Sequence, residues 1–163
     1  MKKERVYVLF SNLREETDYH IICCTSDVED VLNECEECFL TSDYEYEHGE
    51  DLTTEIIESK KNIDFGYDDE GVRCVLNSYE VTLLENHVMY AVIANGEEIY
   101  NWDADMLGLF SSKNEAIETI ISEISKFDID EEDLKDYRCQ LLKSESLIDF
   151  NSTYWDILAI KVS

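Results

Sequence analysis

The chain reads as an α+β protein of two tandem β-β-α-β-β-like units, mostly antiparallel sheet packed with helices. Three observations lead there. Two capped helical stretches each follow a pair of short β-branched or aromatic runs. Further strand-like runs and an Asn-Gly turn signal surround them. The order of pieces in residues 1–86 returns in residues 87–163, as an internal duplication would produce.

Residues 6–10 (VYVLF) form a predicted strand, and 19–25 (YHIICCT) form its hairpin partner across a polar turn. Ser26 is the predicted N-cap of a helix, with Glu29 completing a capping box. Val28, Val31, Leu32, Cys35 and Phe39 recur at helical spacing and make a buried stripe, while Glu29, Asp30, Glu36 and Glu37 take the opposite face. Residues 41–51 (TSDYEYEHGED) lack a period and read as a loop or a short edge strand carrying Tyr44 and Tyr46. A second short helix is expected at 52–60, a turn-rich link at 62–71, and a hairpin from 72–76 and 79–84.

The second half repeats this order. Residues 88–94 make a strand, Asn95-Gly96 a turn, and 98–102 and 106–110 one bent strand or two short ones. Ser112 and Glu115 cap a helix with the stripe Ala116, Ile117, Ile120, Ile121, Ile124 and Phe127. A capped turn is expected at 130–135, then strands at 137–142 and 155–162. Arg73-Cys74 after the first helix echoes Arg138-Cys139 after the second. Neither half buries its apolar faces well alone, so the two are expected to share a core in one compact unit.

Charge is the strongest signal. The chain of 163 residues carries 39 acidic and 13 basic side chains, a formal net charge of −26. Between Glu15 and Glu58 there are sixteen carboxylates and no Lys or Arg. An apolar fraction of 44% and ten Tyr residues set this stretch apart from a disordered acidic tail. A globule of this size exposes roughly 8,400 Å², about 320 Å² per net charge. Duplex DNA carries one charge per about 110 Å² of a cylinder of roughly 10 Å radius. The average density is therefore about threefold too low to imitate DNA. Imitation requires the charge to be concentrated on one side, which residues 15–58 make feasible. The same charge disfavours binding to nucleic acid or to an anionic membrane. No apolar run reaches 18 residues, and the run at 6–10 is too short for a signal peptide, so a cytoplasmic location is expected.

Motifs for chemistry are weak. Cys35-x-x-Cys38, with His20 and Cys24 upstream, supplies four residues of zinc-ligating type. Against this, the pair falls in the second and third turns of a helix, away from the N-terminus where a thiol pKa drops. Glu34, Glu36 and Glu37 surround it, and neighbours Cys23 and Cys24 point to opposite sides of a strand. Core cysteines are the expected reading, including Cys74 and Cys139 in strands. Asp128-x-Asp130-x-Glu132 alternates oxygen donors without the glycine of a calcium loop, and apolar residues follow Asp103-Ala104-Asp105. Nucleophile elbow, zincin, phosphate-loop and dinucleotide motifs are absent, and His20, His48 and His87 are the only histidines. The expectation is a non-enzymatic protein without cofactor.

Aromatic residues among carboxylates point to protein binding. Tyr44, Tyr46, Tyr67, Tyr100 and Trp102 sit in acidic surroundings. Carboxylates pair with Arg in fork geometry and rings pack on guanidinium planes. The expected partner-binding set is Glu29, Asp30, Glu36, Glu37, Asp43, Tyr44, Glu45, Tyr46, Glu47, Glu50 and Asp51. In composition and size the chain resembles phage-encoded nucleic-acid mimics that inhibit restriction or CRISPR systems. That resemblance implies an inhibitor that blocks a basic nucleic-acid-binding protein such as a defence nuclease. The alternatives are an immunity protein that neutralises a toxin nuclease, and a zinc-binding or plain acidic adaptor domain.

Overall fold

Two four-stranded antiparallel sheets, each packed with helices, make up a mixed α+β fold. The computed structural model describes residues 3–13, 19–96, 104–144, 148–150 and 153–163. The chain divides into two compact units: Met1–Thr82 with Val162–Ser163, and Leu83–Lys161.

The first unit contains β1 (Lys3–Leu13), β2 (Tyr19–Thr25), α1 (Val28–Glu37), α2 (Leu40–His48), α3 (Thr54–Ser59), β3 (Asn62–Tyr67) and β4 (Val72–Thr82). Its strands lie in the order β2-β1-β4-β3. Alternation along β1 sends Tyr7 and Leu9 to one face, where they meet Val31, Cys35, Leu40, Tyr44 and Ile57 of the helices. Val6, Val8 and Phe10 occupy the other face and are also fully buried. A strand buried on both sides explains the unbroken apolar run. Backbone bonds from Ser163 N to Cys24 O (3.0 Å) and from Ser26 N to Ser163 O (3.3 Å) join the last residues to the end of β2.

The second unit contains β5 (Val88–Gly96), β6 (Asp105–Phe110), α4 (Lys113–Ile124), α5 (Glu131–Ser144), β7 (Ile148–Phe150) and β8 (Thr153–Lys161). The strand order β6-β5-β8-β7 repeats the first sheet's order. The registers also agree. Tyr7, Val8 and Leu9 pair with Thr25, Cys24 and Cys23, and a bulge follows before Phe10. Tyr90, Ala91 and Val92 pair with Phe110, Leu109 and Gly108, and a bulge follows before Ile93. The helices pack on Val92, Ala94, Trp155 and Ile157 through Ile117, Ile120, Ile121, Ile124 and Leu141.

Several expectations are corrected. The hairpin at 72–84 is one continuous strand, β4, paired with β1 along its length from Leu13↔Val72 to Lys3↔Thr82. Its polar centre reads as a turn in sequence, but finds partners across the sheet: Asn62 Nδ2 donates to Asn77 Oδ1 (2.7 Å), and Arg5 Nη2 donates to Ser78 Oγ (2.9 Å). The supposed link at 62–71 holds β3, and only residues 68–71 turn. There Asp68 Oδ1 accepts from the backbone N–H of Glu70 and Val72, both at 2.9 Å. Asn95 and Gly96 extend β5 by pairing with Tyr154 and Thr153 instead of turning. The predicted strand at 98–102, with Tyr100 and Trp102, lies outside the described residues.

The expected strand at 137–142 is the middle of α5. Leu134, Tyr137 and Leu141 follow helical spacing onto the core, and Asp130 Oδ1 caps the start by accepting from Asp133 N (2.9 Å). Cys139 is therefore an exposed helical residue instead of a core strand residue, whereas Cys74 stays in β4. The Arg-Cys echo thus joins positions in different kinds of element.

Candidate protein-docking face

From Asp27 onward the acidic stretch becomes the helical layer of the first unit. Its first helix is capped by Asp27, not Ser26: Asp27 Oδ1 accepts from Glu29 N at 2.9 Å, and Thr25 Oγ1 accepts from Asp27 N at 3.1 Å. Asp27 has the extended backbone of an N-cap, so the helix begins one residue later than the Ser-x-x-Glu pattern implies. Val31 and Cys35 are buried against the sheet. Glu29 and Asp30 lie in the first turn, where the helix dipole favours negative charge. Glu36 and Glu37 lie in the last turn, which has no basic residue. That placement opposes the dipole, at a cost of typically about 0.3–1 kcal/mol for an exposed charge.

Residues 41–51, expected as loop or edge strand, are mostly α2. Two residues decide it. Leu40 and Tyr44, one helical turn apart, are buried in the core cluster of the first unit. Tyr44 is only 2% exposed, so it is not available to a partner, contrary to expectation. Its ring stacks on His48 with centroids 4.1 Å apart and planes 13° apart, and the Lys60 ammonium lies 5.8 Å from its centroid. His48 Nδ1 lies 3.1 Å from Tyr44 O, so this histidine belongs to the helix end and is not a free loop residue. Gly49 closes the helix at φ +71°, a left-handed conformation that glycine adopts without steric cost.

Phe39 overturns a second expectation. Its spacing fits the buried stripe, yet it is 74% exposed and sits at φ 61°, between α1 and α2. The left-handed backbone ends α1 after Glu37 and turns the chain into α2. A bulky residue in this region is strained. Tyr46, on the outer side of α2, is 93% exposed.

All the expected acidic contact residues are exposed: Glu29, Asp30, Glu36 and Glu37 from α1, Asp43, Glu45 and Glu47 from α2, and Glu50 and Asp51 after it. Three of them converge. Glu36, Glu45 and Asp51 line a cleft of about 380 Å³ together with Thr41, Ser42 and Thr53. Carboxylates and hydroxyls in a concave site accept hydrogen bonds from a cationic side chain. Glu15, Glu16 and Asp18 lie outside the described residues.

The cysteines sit elsewhere in chemical character. All six are free thiols. Burial pushes Cys35 up to about 12 and Cys24 up to about 12, and it pushes Cys23 and Cys74 up to about 11. Cys38 is raised by burial and by Glu34 and Glu37. Such thiols are poor nucleophiles. Cys35, Cys38, His20 and Cys24 are not brought together as a ligand set. Among the described residues no group of three or more His, Cys, Asp or Glu is arranged to hold a metal ion. His20 is an exposed β2 residue opposite Ser11. Among the described residues no helix is long and apolar enough to cross a membrane. No protein-family model, curated protein or solved structure matches the chain.

Proposed function

We propose that the helical face of the first unit docks on a basic protein surface and blocks it, acting as a non-enzymatic, cytoplasmic inhibitor of a nucleic-acid-binding protein such as a defence nuclease. One observation carries the reading. The exposed surface of α1, α2 and the segment after α2 presents nine carboxylates of the expected set, in a stretch without Lys or Arg. Folding alone does not call for this arrangement, since the last turn of α1 keeps Glu36 and Glu37 against its dipole. A basic partner would offset that cost by pairing with these carboxylates, and would raise the association rate.

The test is a binding titration against basic nucleases at increasing salt. Affinity should fall tenfold or more between about 50 and 500 mM salt, because exposed charges are screened over this range. Unchanged affinity would exclude electrostatic docking. The triple variant Glu29→Lys, Glu36→Lys, Glu37→Lys should abolish binding without unfolding the protein, since all three side chains are exposed. Normal binding by that variant would place the contact elsewhere.

The two halves arose by internal duplication, in this reading. The repeated strand order and the bulge after the third pair of each first hairpin support it. The copy with the acidic helices took the docking role, and the other kept a conventional helix layer.

A further inference from the structure

The junction before α2 and the outer side of α2 carry the two most exposed aromatic side chains among the described residues, Phe39 at 74% and Tyr46 at 93%. Phe39 is the left-handed residue just before α2, and Tyr46 is the seventh residue of that helix. The buried residues Leu40 and Tyr44 mark the opposite side of the same helix. Asp43 and Glu47 flank Tyr46 on one side and Glu45 on the other, all exposed. Exposed large rings are unfavourable in water. Phe39 also holds a left-handed backbone that glycine or asparagine would adopt more readily.

We infer that Phe39 and Tyr46 are the anchors of the docking face, and that the occupant is a protein groove lined by arginine. This rests on the docking role proposed above. Each ring offers a face for a guanidinium plane, and the neighbouring Asp43 and Glu45 carboxylates accept the guanidinium N–H groups. Arginine fits this pairing better than lysine, because its planar fork stacks and bonds at once. A second copy of the chain is disfavoured, since two identical faces without Lys or Arg would repel. A nucleic acid or an anionic membrane is disfavoured for the same reason.

The experiment compares binding of the full chain to deca-arginine and to deca-lysine at low salt. Wild type should bind deca-arginine more tightly. The double variant Phe39→Ala, Tyr46→Ala should lose roughly 5- to 30-fold for deca-arginine, two exposed cation–ring contacts, and little for deca-lysine. A second variant separates surface role from fold. Phe39→Gly should raise the melting temperature by a few degrees by relieving the left-handed strain, yet weaken deca-arginine binding. Equal binding of the two peptides by wild type, or an arginine preference that survives the double variant, would overturn the anchors and leave the acidic docking face standing. Failure to bind either peptide would overturn both.

Discussion

Helices α1 and α4 begin alike and end differently. Each follows the first hairpin of its unit and is capped two residues beyond the last paired residue, by Asp27 after Thr25 and by Ser112 after Phe110. From that common start Val31 corresponds to Ala116 and Cys35 to Ile120, and all four are buried. Then the two part. Ile121 and Ile124 are buried in α4, while the corresponding Glu36 and Phe39 are exposed. The longer helix carries its stripe onto the core. The shorter one stops at Glu37, and two further short helices, α2 and α3, complete the cover with Leu40, Tyr44 and Ile57. Charge follows the same division. In the second unit Glu118 is held by Arg138 of α5 at 2.7 Å, and Glu123 by Lys126 at 2.8 Å. The helices of the first unit have no Lys or Arg of their own with which to form such pairs. One strand frame thus supports both a helix layer with internal ion pairs and one whose charge faces outward.

The largest effect expected is loss of the residue that fastens α2. Tyr44→Ala should destabilise by about 3–5 kcal/mol, and Ile120→Ala under α4 by about 2–5 kcal/mol, in urea denaturation. A Tyr44→Ala cost below about 1 kcal/mol would mean that α2 is not fastened through its core face.

Next comes alkaline sensitivity, which belongs to the first unit. The buried thiols of Cys24 and Cys35 ionise in the folded chain only near about 12, against an ordinary 9.0. The unfolded chain therefore releases these protons first, and stability must fall as pH rises from about 9 toward 12. The slope is up to about 1.4 kcal/mol per pH unit for each thiol. Cys35→Val should flatten that slope. An unchanged slope would show that Cys35 is not the source.

The caps should give equal, smaller effects. Asp27→Ala and Ser112→Ala should each cost about 1 kcal/mol, since each side chain accepts one backbone N–H of its helix. Unequal losses would break the parallel between the two helix starts. The smallest effect is the ion pair of the second unit. Hydrogen bonding to Arg138 holds the Glu118 carboxyl below its ordinary value. Its contribution is present above the ordinary carboxylate pKa and lost as pH falls through the lowered one. Glu118→Gln should remove that acid-side dependence with little change at neutral pH, because the pair is exposed.

The helix starts and the apolar strands were legible in sequence because their signals are local. A cap acts on the next turn, and alternation acts between neighbours along one strand. The acidic outer face of α1 was legible for the same reason. The exposure of Phe39 was not legible, because its spacing matches the stripe to which Ile124 belongs in the second unit. The α5 segment is ambiguous in sequence because Tyr137, Cys139 and Leu141 alternate as a strand would, while Leu134, Tyr137 and Leu141 satisfy a helix equally well. A short apolar run often fits both periods.

By itself, then, the sequence determined the α+β character, the positions of β1, β2, β5, β6 and β8, the starts of α1 and α4 to within a residue, and the concentration of negative charge. Tertiary structure decided where α1 stops, that Tyr44 is core and Phe39 surface, and that β4 runs unbroken through Asn77 and Ser78. The reason is physical. Caps and periodicity act between residues close in sequence. The fate of a ring or a polar strand residue depends on partners far along the chain, as Arg5 is for Ser78 and the β-sheet is for Tyr44.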